Sequence, residues 1–444
     1  MNASIRFRTS SELLDQFDRN RRRMHALYAG LPDEAYFKRP IPLRNPLVFY
    51  EGHVPAFSHA HLVRKALGGP AIDEALESLF ARGIDPHEAT SDVKARGNEA
   101  DEWPDRATVI AFRDEADRRV RAAIESVLSD PDGPVDVVHR ILEHETMHHE
   151  TLMYLWHALS HGDKRTPDGY TPNIAGAPPE QVMVEVAAGR AVLGVAPGDL
   201  PFAWDNELPS HGVDVPAFRI QRHNVTNAEY LAFVEAGGYR DERWWRPEDW
   251  AGLREKAIGH PHFWQPDGQS WLWRGMFDDV PLPPAWPVWV THAEASAYAR
   301  WRGMALPSEA QYQRAALGDP DGAQRRFPWG DEAPQARHGA FGFEGYDPEP
   351  AGSHPDGASA WGVEDLVGNG WEWTSTPFAP FPGFTPMPEY PEYSADFFDG
   401  QHFVMKGASP ATVTELIRPS FRNWFRPRYP YVFASFRCVE GAKR

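Results

Sequence analysis

The stretch PVDVVHRILEHETMHHETLMYLWHALSH, residues 134–161, decides how the chain is read. It opens with Pro134 after Asp132 and Gly133, a helix start in which the missing proline N–H is no loss. Beyond it, Val137, Ile141, His144, His148, Leu152, Leu155 and Leu159 recur at steps of three or four. Such steps place side chains on one face of an α-helix. The stripe is apolar except for the two histidines at its middle. His144 and His148 are four apart, so both imidazoles turn toward one point in the interior that the stripe packs against. Residues 142–152 hold three histidines and three glutamates, an unusual polar load for a buried helix. A lone inward histidine is most often a hydrogen-bonded core residue. A pair four apart within an apolar stripe is the common half of a transition-metal site.

Three further amphipathic helices precede this one. Residues 10–31 carry Leu13, Phe17 and Met24 on a stripe, with Ser10 or Ser11 as the expected N-cap. Residues 45–67 form an apolar segment with a kink expected near Pro55. Residues 105–128 form the third. Four such helices read as an antiparallel bundle over residues 1–162, and bundle cores are where helical proteins build metal sites. Phe49 and His53 are four apart on an inward face of the second helix, so His53 is the expected third ligand. His59 and His61 are its rivals. Glu145 and Glu150 would instead give a two-histidine, one-carboxylate site. Glu145 and His149 point about a third of a turn off the stripe, which suits outer or surface roles. Three neutral imidazoles leave Fe(II), Zn, Cu and Ni open.

The chain has 444 residues, too many for one ordinary core, so two domains are expected. Its net charge of −18, from 45 basic and 63 acidic side chains, gives no footprint for nucleic acid or an anionic membrane. No apolar run reaches the roughly 18 residues of a spanning helix. The first residues lack the apolar core of a signal peptide. A single cysteine, Cys438, forbids an internal disulfide, and the cytoplasm is the simplest address. Residues 163–181, rich in Pro and Gly, read as a linker. Residues 182–444 change style, to short β-like runs among many Trp, Pro and Gly. Helices are expected at 226–238 and 291–303, and Ser308 reads as a further N-cap. Asn369, in GNGWEW (368–373), reads as a buried hydrogen-bonder.

Four segments of this second part resemble one family. They are GNGWEWTSTPFAPFPGF (368–384), WPVWVTHAEASAYARWRGMALPSEAQYQRAA (286–316), RRFPWGDE (325–332) and FRNWFRPRYPYVFASFRC (421–438). They are similar to the formylglycine-generating-enzyme-type domain, a C-type-lectin-like α+β fold. The first part, with His53 and HETMH at 144–148, resembles a DinB-like four-helix bundle. The pairing in this order resembles the ergothioneine sulfoxide, ovothiol and selenoneine synthases. Formylglycine-generating enzymes bind copper through two cysteines, and with Cys438 alone that activity is excluded.

The resemblance implies Fe(II) held by His53, His144 and His148. It implies O2-dependent bonding of a thiol or selenol donor to imidazole C2 of hercynine, the betaine of histidine, with a sulfoxide or selenoxide as product. Asn423 and Trp424 match the pair that contacts the betaine, whose quaternary ammonium suits an aromatic face. Arg422, with Arg426 and Arg428 nearby, is a candidate for a substrate carboxylate. The chain also departs from the family. Phe378 and Phe381 stand where a tyrosine is common, which leaves Tyr429 and Tyr431 as candidate proton donors. Met147 replaces a common glutamine. Phe425 replaces an acidic or polar residue, so the donor pocket is more apolar than one for γ-glutamylcysteine. Arg82 and Arg96 are the loose candidates for holding that peptide. These departures suit free cysteine or a selenosugar as donor. The alternative is a Zn-dependent thiol transferase of the DinB type using the same histidines.

Overall fold

The structure is a computed structural model that describes residues 9–81 and 103–440. The chain divides into two compact units, Met1–Tyr170 and Thr171–Arg444. The boundary falls inside the stretch expected as a linker.

In the first unit, α1 (Ser10–Ala29) is started by Thr9 rather than by Ser10 or Ser11. Thr9 and Glu12 exchange bonds in a capping box, satisfying N–H groups the helix cannot satisfy itself. A short α2 (Asp33–Tyr36) follows. α3 (Leu47–Ser58) has all of its residues buried, so it is the central helix of the unit. It runs through Pro55 and widens only at His59, into a π-helical turn, His59–Ala66. The departure from α-helical hydrogen bonding therefore begins four residues after Pro55. Leu67 N–H reaching Leu62 O at 3.2 Å is the long-step bond that defines the π turn. α4 (Glu74–Leu79) is one turn and a half, capped by Asp73. α5 (Arg106–Ser129) is capped by Asp105, which accepts from Thr108 N at 2.7 Å. α6 (Val135–Ala158) carries the histidine stripe. Its inner residues Ile141, Leu152 and Leu155 are buried, as are Leu13, Phe17 and Met24 of α1 and Val109, Phe112 and Val120 of α5.

In the second unit, four α-helices pack around small sheets: α7 (Asn227–Glu235), α8 (Pro247–Glu255), α9 (His292–Trp301) and α10 (Glu309–Leu317). Thr226, Thr291 and Ser308 begin α7, α9 and α10 with capping boxes. α8 was not expected; it starts with Pro247 in its first turn. One four-stranded sheet joins Met183–Val186, Phe218–Gln221, Val439–Glu440 and Met304–Ala305 in that order. The other is ordered Asn423–Phe425, Phe403–Ala408, Gly370–Pro377, Ala434–Ser435. Trp204, Trp264, Trp273, Trp286, Trp289, Trp371 and Trp373 are fully buried, so much of the tryptophan richness is core. Asn369 sits at φ 66° and exchanges two bonds with the Glu349 backbone, turning the chain into strand 370–377. Among the described residues no helix is long and apolar enough to cross a membrane.

Candidate metal centre

His53 on α3 meets His144 and His148 on α6. Each offers a ring nitrogen, and these atoms lie within 4.8 Å of one another. Among the described residues this is the one such group of three His, Cys, Asp or Glu side chains. The Nε2 atoms of His144 and His148 are 3.1 Å apart. Ring centroids are separated by 5.2 Å for His53–His144 and 4.8 Å for His53–His148.

Local sequence explains how His53 is aimed. Its Nδ1–H donates to the carbonyl of Phe80 at 2.7 Å, which leaves Nε2 as a lone pair facing the other two rings. Phe80 can approach because residue 52 is glycine. A Cβ there would lie 2.5 Å from the Phe80 ring. Burial lowers His53 to about 4, keeping it neutral. Burial, then the neighbouring histidines, holds His144 and His148 well below the ordinary histidine value. His53 Nε2 and the Nδ1 atoms of His144 and His148 are buried without a hydrogen bond among the described residues. Buried nitrogens left so are costly, and neutral imidazole is the form that binds metal. The donor set therefore fits a transition-metal ion.

The rivals are placed elsewhere. His59 Nδ1 lies 3.3 Å from Glu77. His61 is stacked on Phe57. Glu150 accepts from Tyr154 OH at 2.6 Å. Glu145 and His149 are not surface residues. Both are fully buried, 3.5 Å apart, and Arg21 of α1 reaches Glu145 at 3.5 Å. α6 is enclosed on more than its apolar stripe, which is why the off-stripe positions are interior. Met147 is partly exposed beside the ligands. Tyr50 escaped the sequence reading. It lies on α3 three residues before His53, is buried, and its ring centroid is 5.6 Å from that of His148. Spacing from His53 would have found it. Arg82 and Arg96 fall outside the described residues.

In the second unit, Asn423, Trp424 and Phe425 form an edge strand paired with Met405, Val404 and Phe403. All three side chains are half-buried. Phe378 is stacked on Trp424 at 4.2 Å and 5°, while Tyr393 and Phe397 approach it at 5.6 and 5.7 Å. The contributions of Tyr393 and Phe397 come from a long loop and carry no sequence signal. Phe425 stacks on buried Tyr429 at 4.8 Å, and Tyr431 is 5.3 Å beyond Tyr429. Arg422 does not fit the expected anchoring role. It is buried, paired with Glu309 at 3.0 Å, bonded to the carbonyls of Asn206 and Ala379, and packed over Phe381 at 4.1 Å. Its charge is neutralised inside the unit. Arg426 reaches Gln401, and Arg428 the Glu248 carbonyl.

Residues 16–163 match the DinB superfamily, and residues 171–442 match the sulfatase-modifying factor enzyme 1-like domain. The chain is 37% identical to a hercynine oxygenase of Mycolicibacterium thermoresistibile, over 93% of this chain and 91% of that one. It is 42% identical to a hercynine oxygenase of Mycolicibacterium smegmatis over 67% and 70% of the two chains. It is 26% identical to ergothioneine biosynthesis protein 1 of Neurospora crassa, over 92% of this chain and 55% of that one. With both domains present in this order and likeness along nearly its whole length, the chain belongs to the hercynine oxygenase family of oxidoreductases.

Proposed function

We propose that the chain is a non-haem Fe(II), O2-dependent synthase that joins a thiol or selenol donor to imidazole C2 of hercynine. The observation that carries this reading is the trio of neutral, converging imidazoles in a chain of this family. Bound there, Fe(II) would supply O2 activation and one coordination sphere for imidazole and chalcogen together. The balance is simple. The C2–H and S–H (or Se–H) bonds break and a C–S (or C–Se) bond forms. One oxygen atom of O2 ends on the chalcogen, and the other leaves as water with both hydrogens.

The remaining steps belong to side chains. Trp424 and Asn423 are proposed to hold the betaine, with Phe378 fixing the tryptophan plane from behind. Phe425 and Phe381 keep the donor region apolar, and Met147 adds no hydrogen bond of the kind glutamine would. Arg422, given its internal pairing, acts on substrate only through the position of Phe381 and Phe378. Candidate proton donors are Tyr429 and Tyr431 of the second unit and Tyr50 beside the triad. The selenium and sulfur versions of the reaction share every one of these features.

A competition assay tests the reading. Apoprotein is loaded anaerobically with Fe(II), given hercynine, and then offered cysteine, γ-glutamylcysteine and a selenosugar together under air. Products are read by mass spectrometry. Excess selenium adduct gives a selenoneine-type synthase, and excess sulfur adduct an ergothioneine-type one. No adduct and no O2 uptake, with turnover of a thiol substrate by the Zn-loaded protein, would replace both with a DinB-type thiol transferase.

A further inference from the structure

Histidines that bind metals are usually oriented by a hydrogen bond from the other ring nitrogen. His53 has one, to the Phe80 carbonyl. His144 does not, because its Nδ1 is buried without a partner among the described residues. Its ring plane must be fixed by something else.

Phe49, His53, Phe57 and His61 follow one another at steps of four along α3 and into the π turn. In a continuous α-helix each step of four overshoots a full turn by about 40°. A fourth rung would by then have rotated off the row. The wider π turn needs more residues per turn, so a step of four falls short instead, and His61 returns to the row. The rings stack in two pairs, with His53 and Phe57 between them tilted by 58° at 6.3 Å. Phe49 lies on His53 at 5.0 Å and 16°, and His61 lies on Phe57 at 4.0 Å and 23°. His144 joins from α6, on Phe57 at 3.5 Å and 9°. Two near-parallel rings this close to one phenyl ring must cover its opposite faces. Phe57 is thus sandwiched between His61 and His144 and has no polar atom of its own.

We propose that this alternating ladder is a positioning device for the metal ligands, in which Phe57 replaces the missing hydrogen bond of His144. The inference rests on the triad being the metal site. Phe57 holds the His144 plane so that its Nε2 faces that of His148. His61 braces Phe57 from behind, and the π turn exists to put it there. Phe57 and His61 are positioning residues and touch no substrate.

Co(II) titration of the full-length apoprotein, followed by its visible absorption bands, tests this without turnover. Phe57→Ala and Phe57→Leu should bind Co(II) about 10–100-fold more weakly than the parent, the range for losing an outer partner of a ligand. Their bands should also be altered. Phe57→Tyr, which keeps the flat ring, should restore both. His61→Phe should behave as the parent. Leu13→Ala, a core truncation on α1, should lower stability and leave Co(II) affinity unchanged. Unchanged affinity and bands in Phe57→Leu would overturn the ladder while leaving the triad intact. Loss of Co(II) binding in His61→Phe would overturn it by making His61 a ligand. A parent protein that binds no Co(II) would bring down the triad and the ladder together.

Discussion

The two units each bury a strongly polar centre, and the two are finished differently. In the second unit, fully buried Arg437 makes six hydrogen bonds: two to Glu372, one to Asn224, and three to the carbonyls of Gln221, Arg222 and Glu364. Every N–H direction of the guanidinium is used. In the first unit, among the described residues, one hydrogen bond ties the three histidines to the surrounding protein, that of His53; His144 and His148 meet each other through Nε2, and other ring nitrogens have no partner. Both centres hold together elements distant in sequence. A completed network rigidifies a fold, whereas an incomplete one in a well-packed interior marks a place for a ligand. The contrast separates scaffold from chemistry without reference to any relative.

The comparison is broken most directly at Arg437. Arg437→Met should destabilise the second unit by about 3–5 kcal/mol, since Glu372 is left buried and unpaired. Denaturant unfolding reads the loss, and adding Glu372→Leu should recover part of it. If the single variant unfolds like the parent, Arg437 is not the keystone described. Next in size is His144→Ala. Co(II) affinity should fall by more than about 100-fold, beyond the loss expected for an outer partner. Apoprotein stability should fall by less than the loss of about 3–5 kcal/mol in Arg437→Met, because the cost of the cavity left by the ring is offset in part by removal of a buried unsatisfied nitrogen. A large stability loss would make His144 scaffold, like Arg437.

Three phenylalanine variants sharpen the assignment of the proton donor. Whichever of Tyr50, Tyr429 and Tyr431 supplies the proton should, when replaced, slow product formation about 100-fold, the lower range for general acid–base groups. Co(II) binding should be unaltered. Tyr50 is the expected one, since its ring lies beside His148. The smallest effect is one of pH. Burial, then Arg246, lowers His292 of the second unit to about 3 from its ordinary 6.5. Its folded form is neutral, so the unfolded chain binds the extra proton once pH drops below 6.5. Stability from this group is full above that pH and is lost as pH falls toward 3. His292→Gln should flatten the acid limb by up to about 1.4 kcal/mol per pH unit. Urea unfolding at pH 7, 5.5 and 4.5 checks the slope.

Where function can be read from sequence, the reason is periodicity. His144 and His148 announce themselves because a step of four interrupts an apolar stripe, and His53 because it follows Phe49 by the same step. The order of the two domains is legible from motifs found in both parts of the chain. What is illegible depends on partners far along the chain. Arg21 lies 124 residues before Glu145, and Glu309 lies 113 before Arg422, so neither pairing leaves a local mark. The π turn is hidden because its residues satisfy an α-helical pattern equally well. Thr9 outcompetes Ser10 and Ser11 as cap because only it stands three residues before Glu12. Tyr50 stands out less because the position where the resemblance implies a tyrosine lies at Phe378 and Phe381, in the other half of the chain, and not one turn before a ligand.

The single cysteine has a consequence for the chemistry proposed here. Cys438 is fully buried, its backbone N–H is held by Gln221 Oε1 at 2.7 Å, and burial pushes its thiol far above the ordinary value. The thiolate is the form that undergoes disulfide exchange and oxidation. A folded chain of this kind therefore offers no reactive thiol of its own to a thiol or selenol donor. Cys438 should stay a free thiol in air, so any mixed disulfide or selenenyl sulfide found in its reactions comes from the small molecules alone.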